Sequence, residues 1–481
     1  MTKPIKDSQK PQREPSWWSK YWFYTVLIVL AVVGVPIAFF VPPLIPGLIN
    51  DGNSIVSVRQ GILAVLAGAL TMLTLSETHR KNTQEKNKNE RDHIRQVHAE
   101  RRSRYTKAVE QLANEKAAVR LGGIYTLVGL VDEWLADDSL AEDKQQEEGQ
   151  VIINNLCSYI RSPFPLAEEI EEYEARKELE KLQKSESEKL SEEESSRLQI
   201  LLKRFEDSDE YEKPKDITTD YAKFHEEQDV RRTIFVEMSK RSSTITKKKG
   251  EVIETVPGIW SDFDFDFSRA PVFYPLNAIT IEKGNFSSAK FYSIANFRQA
   301  SFTQTAVFRL ATFTNTADFA YAVFASTADF GAVAFTDYSN FGAVAFTGCL
   351  TFKAATFTKN VNFGGATFTR TADFRSATFT SSAKFNRALF KEKSPTFMGG
   401  IGYTRPLSSA RFARLPKNPI AHYFTVSIGS FPILLGEAEL DGVKRHIPVG
   451  TVLFDPISGE TSDPAKPLNK SNDSEEEKSA E

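Results

Sequence analysis

From residue 286 to residue 390 a phenylalanine returns at alternating steps of five and six positions, beginning Phe286, Phe291, Phe297, Phe302 and ending Phe374, Phe379, Phe385, Phe390. Two positions before each ring stands a small or short aliphatic residue, alanine in fourteen of the twenty cases, such as Ala295, Ala317, Ala328, Ala366 and Ala377. Neither the 3.6-residue period of a helix nor the two-residue alternation of a plain strand produces this spacing. Short extended pieces joined by tight corners do, because a ring and the residue two before it then project to the same, inward side. Layers of such a narrow solenoid stack every ~4.8 Å, so large rings and small alanines fill the interior in turn. Each buried phenylalanine contributes about 1.5–3 kcal/mol, and twenty of them offset much of the entropy lost on ordering the chain. Outward positions carry Thr303, Thr314, Thr336, Thr347, Thr358, Thr369 and Thr380. Threonine suits a strand, and an ordered row of it can also recognise a regular surface.

Units such as Ala317-Asp318-Phe319, Ala328-Asp329-Phe330 and Ala372-Asp373-Phe374 resemble the pentapeptide-repeat family, whose repeat reads A-[DN]-[LF]-x-x. The resemblance implies a right-handed quadrilateral β-helix over residues 255–397, with Trp260-Ser261-Asp262-Phe263-Asp264-Phe265-Asp266-Phe267-Ser268 as an opening coil. The five/six alternation departs from the family pattern by adding one residue to every second side. It predicts 22-residue coils with ring i over ring i+22, the alternative being a two-sided solenoid with an 11-residue repeat. This variant, preceded by apolar helices, also resembles a group of bacterial membrane pentapeptide proteins to which no activity is assigned.

Ahead of the repeat the pattern is helical. Residues 21–41 and 60–76 are free of charged side chains. The first run is long enough to span a bilayer and the second sits at the lower limit. Trp17, Trp18, Tyr21 and Trp22 suit an interfacial belt. Arg59 is expected to snorkel and lengthen the second run, and Ala64 with Gly68 to pack it closely on the first. A cleaved signal peptide and a re-entrant segment are the competing readings. Residues 1–20 carry five Lys or Arg, residues 80–107 ten and residues 43–58 none. Two transmembrane helices over 21–78, with both termini cytoplasmic at the plasma membrane, follow from that bias. The basic stretch after the second run reads as a flank on anionic lipid in preference to a nucleic-acid site.

Helical spacing continues through residues 79–165, with a turn near Asn114. Residues 166–245 hold a charged helical hairpin over 167–212, broken at 185–187, whose thin seam would be Ile170, Leu179, Leu182, Leu198, Leu201, Leu202 and Phe205, and then a helix near 228–240. Pairs such as Glu172 with Arg176 support an exposed helix, so the hairpin is a solvated element or a partner-binding one. After the repeat, residues 398–457 predict capping strands, and residues 458–481 a disordered acidic tail. The fold class is therefore multidomain α + β.

Candidate chemistry changes little. The net charge is −3, and the two cysteines, Cys157 and Cys349, form no disulfide framework. His79, His93, His98, His225, His422 and His446 lack metal-ligand spacing, and no phosphate-binding, dinucleotide or nucleophile motif is present. Asp262, Asp264 and Asp266 share one outer face, and three carboxylates there could hold Ca²⁺, though a solvated strand face accounts for them as well. No catalytic, cofactor-binding or metal-binding residue is assigned. A membrane-anchored scaffold for an unidentified cytoplasmic or membrane protein, with possible self-association and no small-molecule substrate, is the leading expectation. A DNA mimic acting on gyrase needs an acidic surface, whereas residues 258–392 carry nine Asp or Glu against twelve Lys or Arg. An envelope sensor or accessory component is the remaining alternative.

Overall fold

The computed structural model describes residues 17–45, 52–185, 198–199, 201–202, 204–206, 217–248, 251–399, 409–415 and 422–468. The basic N-terminal residues 1–16, most of the second arm of the charged hairpin, and the acidic end of the tail at 469–481 lie outside these. The chain divides into two units, Met1–Arg101 and Arg102–Glu481.

In the first unit, α1 (Trp17–Val29) widens into a π turn at Leu30–Gly34 and continues as α2 (Val35–Phe40). Pro36 explains the widening, since it has no N–H to offer the carbonyl four residues back and its ring crowds that turn. The third helix, α3, runs unbroken over Gly52–Leu112. No glycine or proline interrupts residues 69–121, so nothing stops the helix where the apolar run gives way to the basic one. Two helical stretches, Tyr21–Phe40 and Asn53–Leu112, are long and apolar enough to cross a membrane.

One expectation for this unit is corrected. A β-carbon on Gly68 would meet nothing within 4 Å, whereas one on Gly34 would stand 2.7 Å from Leu66 Cδ2, so Gly34 provides the close approach. Arg59 reaches across to the end of α2. Its Nη2 donates to Phe39 O at 2.9 Å, and its guanidinium lies 5.5 Å from the Phe39 ring. That carbonyl would ordinarily accept from the N–H four residues on, which Pro43 lacks.

The second unit begins with the last turns of α3. Lys116 N donates to Asn114 Oδ1, and the Arg120 guanidinium takes up the carbonyls of Asn114 and Glu115, which fixes the turn before α4 (Ala117–Leu135). Then come α5 (Glu142–Arg161), α6 (Pro165–Ser185) and α7 (Ile217–Arg241), the last starting well before the predicted 228. Leu127, Val131, Trp134, Ile153, Leu156 and Phe235 belong to one continuous core with Phe263, Phe265 and Phe267, so the helices close the open start of the solenoid. Between them the chain forms an antiparallel hairpin, β1 (Thr244–Lys248) with β2 (Glu251–Val256), which sequence patterning does not predict.

The solenoid has four parallel sheets, of six, eight, five and six strands. Register settles the coil size: Phe313 pairs with Phe335, Ala317 with Ser339 and Phe324 with Phe346, each a step of 22. The two-sided alternative is thereby excluded. Rings stack in four columns. Phe308 lies 4.8 Å from Phe330, Phe313 4.8 Å from Phe335, Phe319 5.0 Å from Phe341 and Phe324 5.0 Å from Phe346, all near-parallel. Columns also meet edge to face, as Phe319 does with Phe330 at 90°, an arrangement the ring quadrupole favours.

The solenoid continues past residue 390. Phe397 stacks on Phe374, Phe412 on Phe379 and Phe424 on Phe385. Arg411–Ala413 and Val452–Phe454 extend one sheet to its end. Parts of the predicted cap at 398–457 are thus coil residues, whose period is hidden because the sequence spacing between successive rings lengthens. Beyond them Leu435–Leu440 and Val443–Pro448 pair antiparallel across Asp441-Gly442, both with positive φ, as such a two-residue hairpin demands. The tail predicted from residue 458 is structured at its start. Thr461 bridges to Phe454, and Lys466–Pro467 pairs with Leu435–Leu440.

Candidate interaction surfaces

Each coil is closed by two kinds of device. After every second phenylalanine the ring's carbonyl accepts from the N–H three residues on, as in Ala311 N to Phe308 O at 3.0 Å. The residue two after that ring has positive φ: Ser288, Gln299, Leu310, Tyr321, Ala332, Ala343, Ala354, Gly365, Ser376 and Arg387, eleven apart. The Asp or Asn preceding these rings caps the same corner. Asp318 Oδ1 accepts from Ala320 N, Asp329 Oδ1 from Gly331 N and Asn362 Oδ1 from Gly364 N. This is the local side-chain turn that short amide and carboxylate residues favour, and it gives the central residue of the Ala-Asp-Phe unit its purpose.

The polar corner residues also form a ladder. Asn340 Nδ2 donates to Asp318 Oδ1 and Asn362 Nδ2 to Asn340 Oδ1, both at 3.0 Å. Arginine pairs flank this side and the opposite one, Arg298 with Asp318 here and Arg309 with Asp329 and Arg375 with Asp373 there. The two intervening sides carry uncharged residues over much of their length, including Thr312, Ala334, Thr356 and Thr378 on one, and Ser301, Val323, Ala345 and Thr367 on the other, where Val323 and Ala345 are buried. Their threonine rows are partly occupied. Thr314 Oγ1 donates to Phe291 O, Thr336 Oγ1 to Phe313 O and Thr347 Oγ1 to Phe324 O, each at 3.0 Å. These hydroxyls bind the coil below, which is a structural use of the row.

Two of the three candidate Ca²⁺ carboxylates are drawn into other contacts. Asp266 pairs with Arg161 and accepts from Asn285 Nδ2 and Ser268 N, and Asp264 lies 3.5 Å from Lys283 Nζ. No group of three or more His, Cys, Asp or Glu positioned to hold a metal ion occurs among the described residues. Cys157 is fully buried, and burial pushes its thiol up to about 12, the behaviour of a small core residue. Cys349 is exposed.

The charged arm packs separately from the main core. Ala175, Leu182, Leu198 and Leu201, with Leu179 and Phe205 against them, make their own small cluster. Arg204 forms a bidentate pair with Glu171, both bonds 2.8 Å, and the Arg176 guanidinium lies 4.3 Å from the Phe205 ring. Of the predicted seam, Ile170 instead joins the main core.

Polar contacts at the solenoid ends escaped sequence reasoning. Arg231, fully buried, donates to Glu227 Oε1 at 2.7 Å and to the carbonyls of Ile160 and Ser162, while Arg120 reaches Glu227 Oε2 at 3.2 Å. Glu282, also fully buried, accepts from Ser243 N and Thr303 Oγ1. At the other end His422 Nδ1 accepts from Ala383 N at 3.2 Å, and Nε2 donates to Ala413 O at 3.1 Å. In earlier coils the corresponding acceptor is a main-chain carbonyl, as in Val361 N to Ser382 O. Burial holds the His422 imidazole down to about 4.

Four-sided coils, phenylalanine columns and Asx-capped corners define a pentapeptide-repeat β-solenoid. Residues 286–334 match the family model for pentapeptide repeats (9 copies). No curated protein and no solved structure matches the chain.

Proposed function

We propose that the protein is a membrane-anchored scaffold whose solenoid and charged helical arm present surfaces to protein partners on the cytoplasmic side, without catalysis. One observation carries this reading: the solenoid interior is filled by stacked rings, with Phe308, Phe319, Phe330 and Phe341 all fully buried, so any function of the repeat belongs to its outside. The two N-terminal apolar helices support the anchor, and the Lys and Arg counts on either side of them support cytoplasmic termini at the plasma membrane. The near-balanced charge of residues 258–392 argues against a DNA mimic. Expression of residues 79–481 should move the protein from the membrane to the soluble fraction. Retention of that fragment in membranes would remove the anchor from the reading. Pull-downs with and without residues 167–212 then test the arm, and recovery of the same partners by both forms would remove the arm as the binding element.

A further inference from the structure

We propose that the exposed middle of α3 is a docking ridge for an acidic helix of a partner protein. Taken at alternating steps of three and four, residues 81–98 offer Lys81, Gln84, Lys88, Arg91, Arg95 and His98. That spacing keeps side chains on one side of a helix and is the spacing by which two helices pair. The ridge contains no carboxylate and no apolar residue, and the nearby Ile94 and Val97 fall off it. Lys81, Lys88, Arg91 and Arg95 are all exposed. From Lys81 to Arg95 the ridge rises about 21 Å along the helix. Lys81 stands 3.9 Å from Glu77 and Arg95 3.6 Å from Asp92, while Lys88 and Arg91 have no ion-pair partner among the described residues.

Three anionic occupants can be weighed. Lipid headgroups reach only the start of the ridge. With the apolar run in the bilayer, Lys88 lies about 18 Å along the helix beyond Ser76, roughly two screening lengths at physiological salt. That step alone rests on the membrane reading above. Nucleic acid presents phosphates along the flanks of a helix, where Glu85 and Asp92 would meet them unfavourably. An acidic helix with carboxylates at the same three-and-four spacing meets each cation. It leaves Glu85 and Asp92 beside the ridge, in the flanking positions where charge sets partner choice and orientation.

The test uses the full chain in nanodiscs of neutral phosphatidylcholine. Three probes are compared: a synthetic helical peptide with glutamates at three-and-four spacing, an isomer of identical composition with those glutamates moved to the opposite face, and a DNA duplex. The spaced peptide is expected to bind at least tenfold more tightly than the isomer, and more weakly as salt rises. A triple variant, Lys88→Glu with Arg91→Glu and Arg95→Glu, is expected to lose at least tenfold while its helical circular dichroism is unchanged. Equal binding of the two peptides, tighter binding of the duplex, or an unaffected triple variant would each overturn the proposal. Repeating the measurement in nanodiscs containing phosphatidylserine separates the lipid source, because displacement of the peptide by anionic lipid would assign the ridge to the membrane. Release of the protein from membranes in fractionation would refute the anchor and leave the peptide result standing.

Discussion

A β-carbon placed on Gly149 would stand 2.5 Å from Cζ of Phe263. Helix α5 and the first coil of the solenoid therefore approach through a position where only hydrogen fits, and the ring fills the space a side chain would take. Alanine in a helix interior ordinarily gains about 1 kcal/mol over glycine. Here the ring is fully buried and cannot withdraw, so overpacking at about 1–3 kcal/mol outweighs that gain. Gly149→Ala is expected to lower the urea midpoint of the full chain in detergent, and a raised midpoint would mean that the two elements are not rigidly joined.

Phe330 and Phe341 lie 5.7 Å apart, edge to face, in neighbouring columns. Replacing either with alanine should cost about 3–5 kcal/mol. The double variant should depart from additivity because the rings are in contact. Solenoid repeats touch only their neighbours, so the loss should be local. Hydrogen exchange is expected to accelerate over the coils around residues 319–352 before the helices α4, α5 and α7 are affected. Uniform acceleration throughout the second unit would contradict the picture of coupled but separable coils.

Gly365 is the only glycine in the row of ten positive-φ corner residues, and a β-carbon there would meet nothing within 4 Å. Its siblings Ala343 and Ala354 hold the same conformation with φ of 53° and 59°. Gly365→Ala should therefore cost only the left-handed backbone penalty, about 1 kcal/mol. A larger loss of thermal stability would show that the corner tolerates side chains unequally along the axis.

The imidazole of His422 is held near 4 in the folded chain against an ordinary value of 6.5. Because the folded pKa is depressed, the neutral ring's contribution is fully present above pH 6.5. It is lost as pH falls towards 4, where the unfolded chain takes up the proton first. The difference amounts to about 3 kcal/mol over that window. His422→Asn keeps an acceptor for Ala383 N without the titration. Its urea midpoint should vary less between pH 6.5 and 4 than that of the native chain, and parallel profiles would place the acid sensitivity elsewhere.

The repeat was legible in the sequence because each ring meets the same surroundings, so one period describes all twenty positions from Phe286 to Phe390. Beyond Phe390 the next rings are Phe397, Phe412 and Phe424. Their longer separation in sequence breaks the period although the stacking persists. Corner capping by Asp318 or Asn362 was implicit in the Ala-Asp-Phe unit. The role of His422 was not, since it depends on the main-chain N–H of Ala383, 39 residues away. The burial of Arg231 and Glu227 was not legible either, because it depends on the packing of α7 against α5. The hairpin at Thr244–Val256 was missed because its basic residues mask the alternation of a strand.

Arg59 and Pro43 provide the most direct test of the N-terminal hairpin. Phe39 O lacks its helical donor because residue 43 is proline, and Arg59 Nη2 supplies one at 2.9 Å. Arg59→Leu leaves that carbonyl unpaired and should cost about 1–3 kcal/mol in an apolar setting. Pro43→Ala restores an N–H at the position from which a helix would satisfy Phe39 O. In the Pro43→Ala background, then, removing Arg59 should cost distinctly less, and a double-mutant cycle reads that coupling directly. Thermal denaturation of the full chain in one detergent, followed for the four proteins of the cycle, gives the four free energies. Strict additivity would show that Arg59 holds the two helices by its charge over the Phe39 ring alone, and not as a replacement for the missing backbone donor.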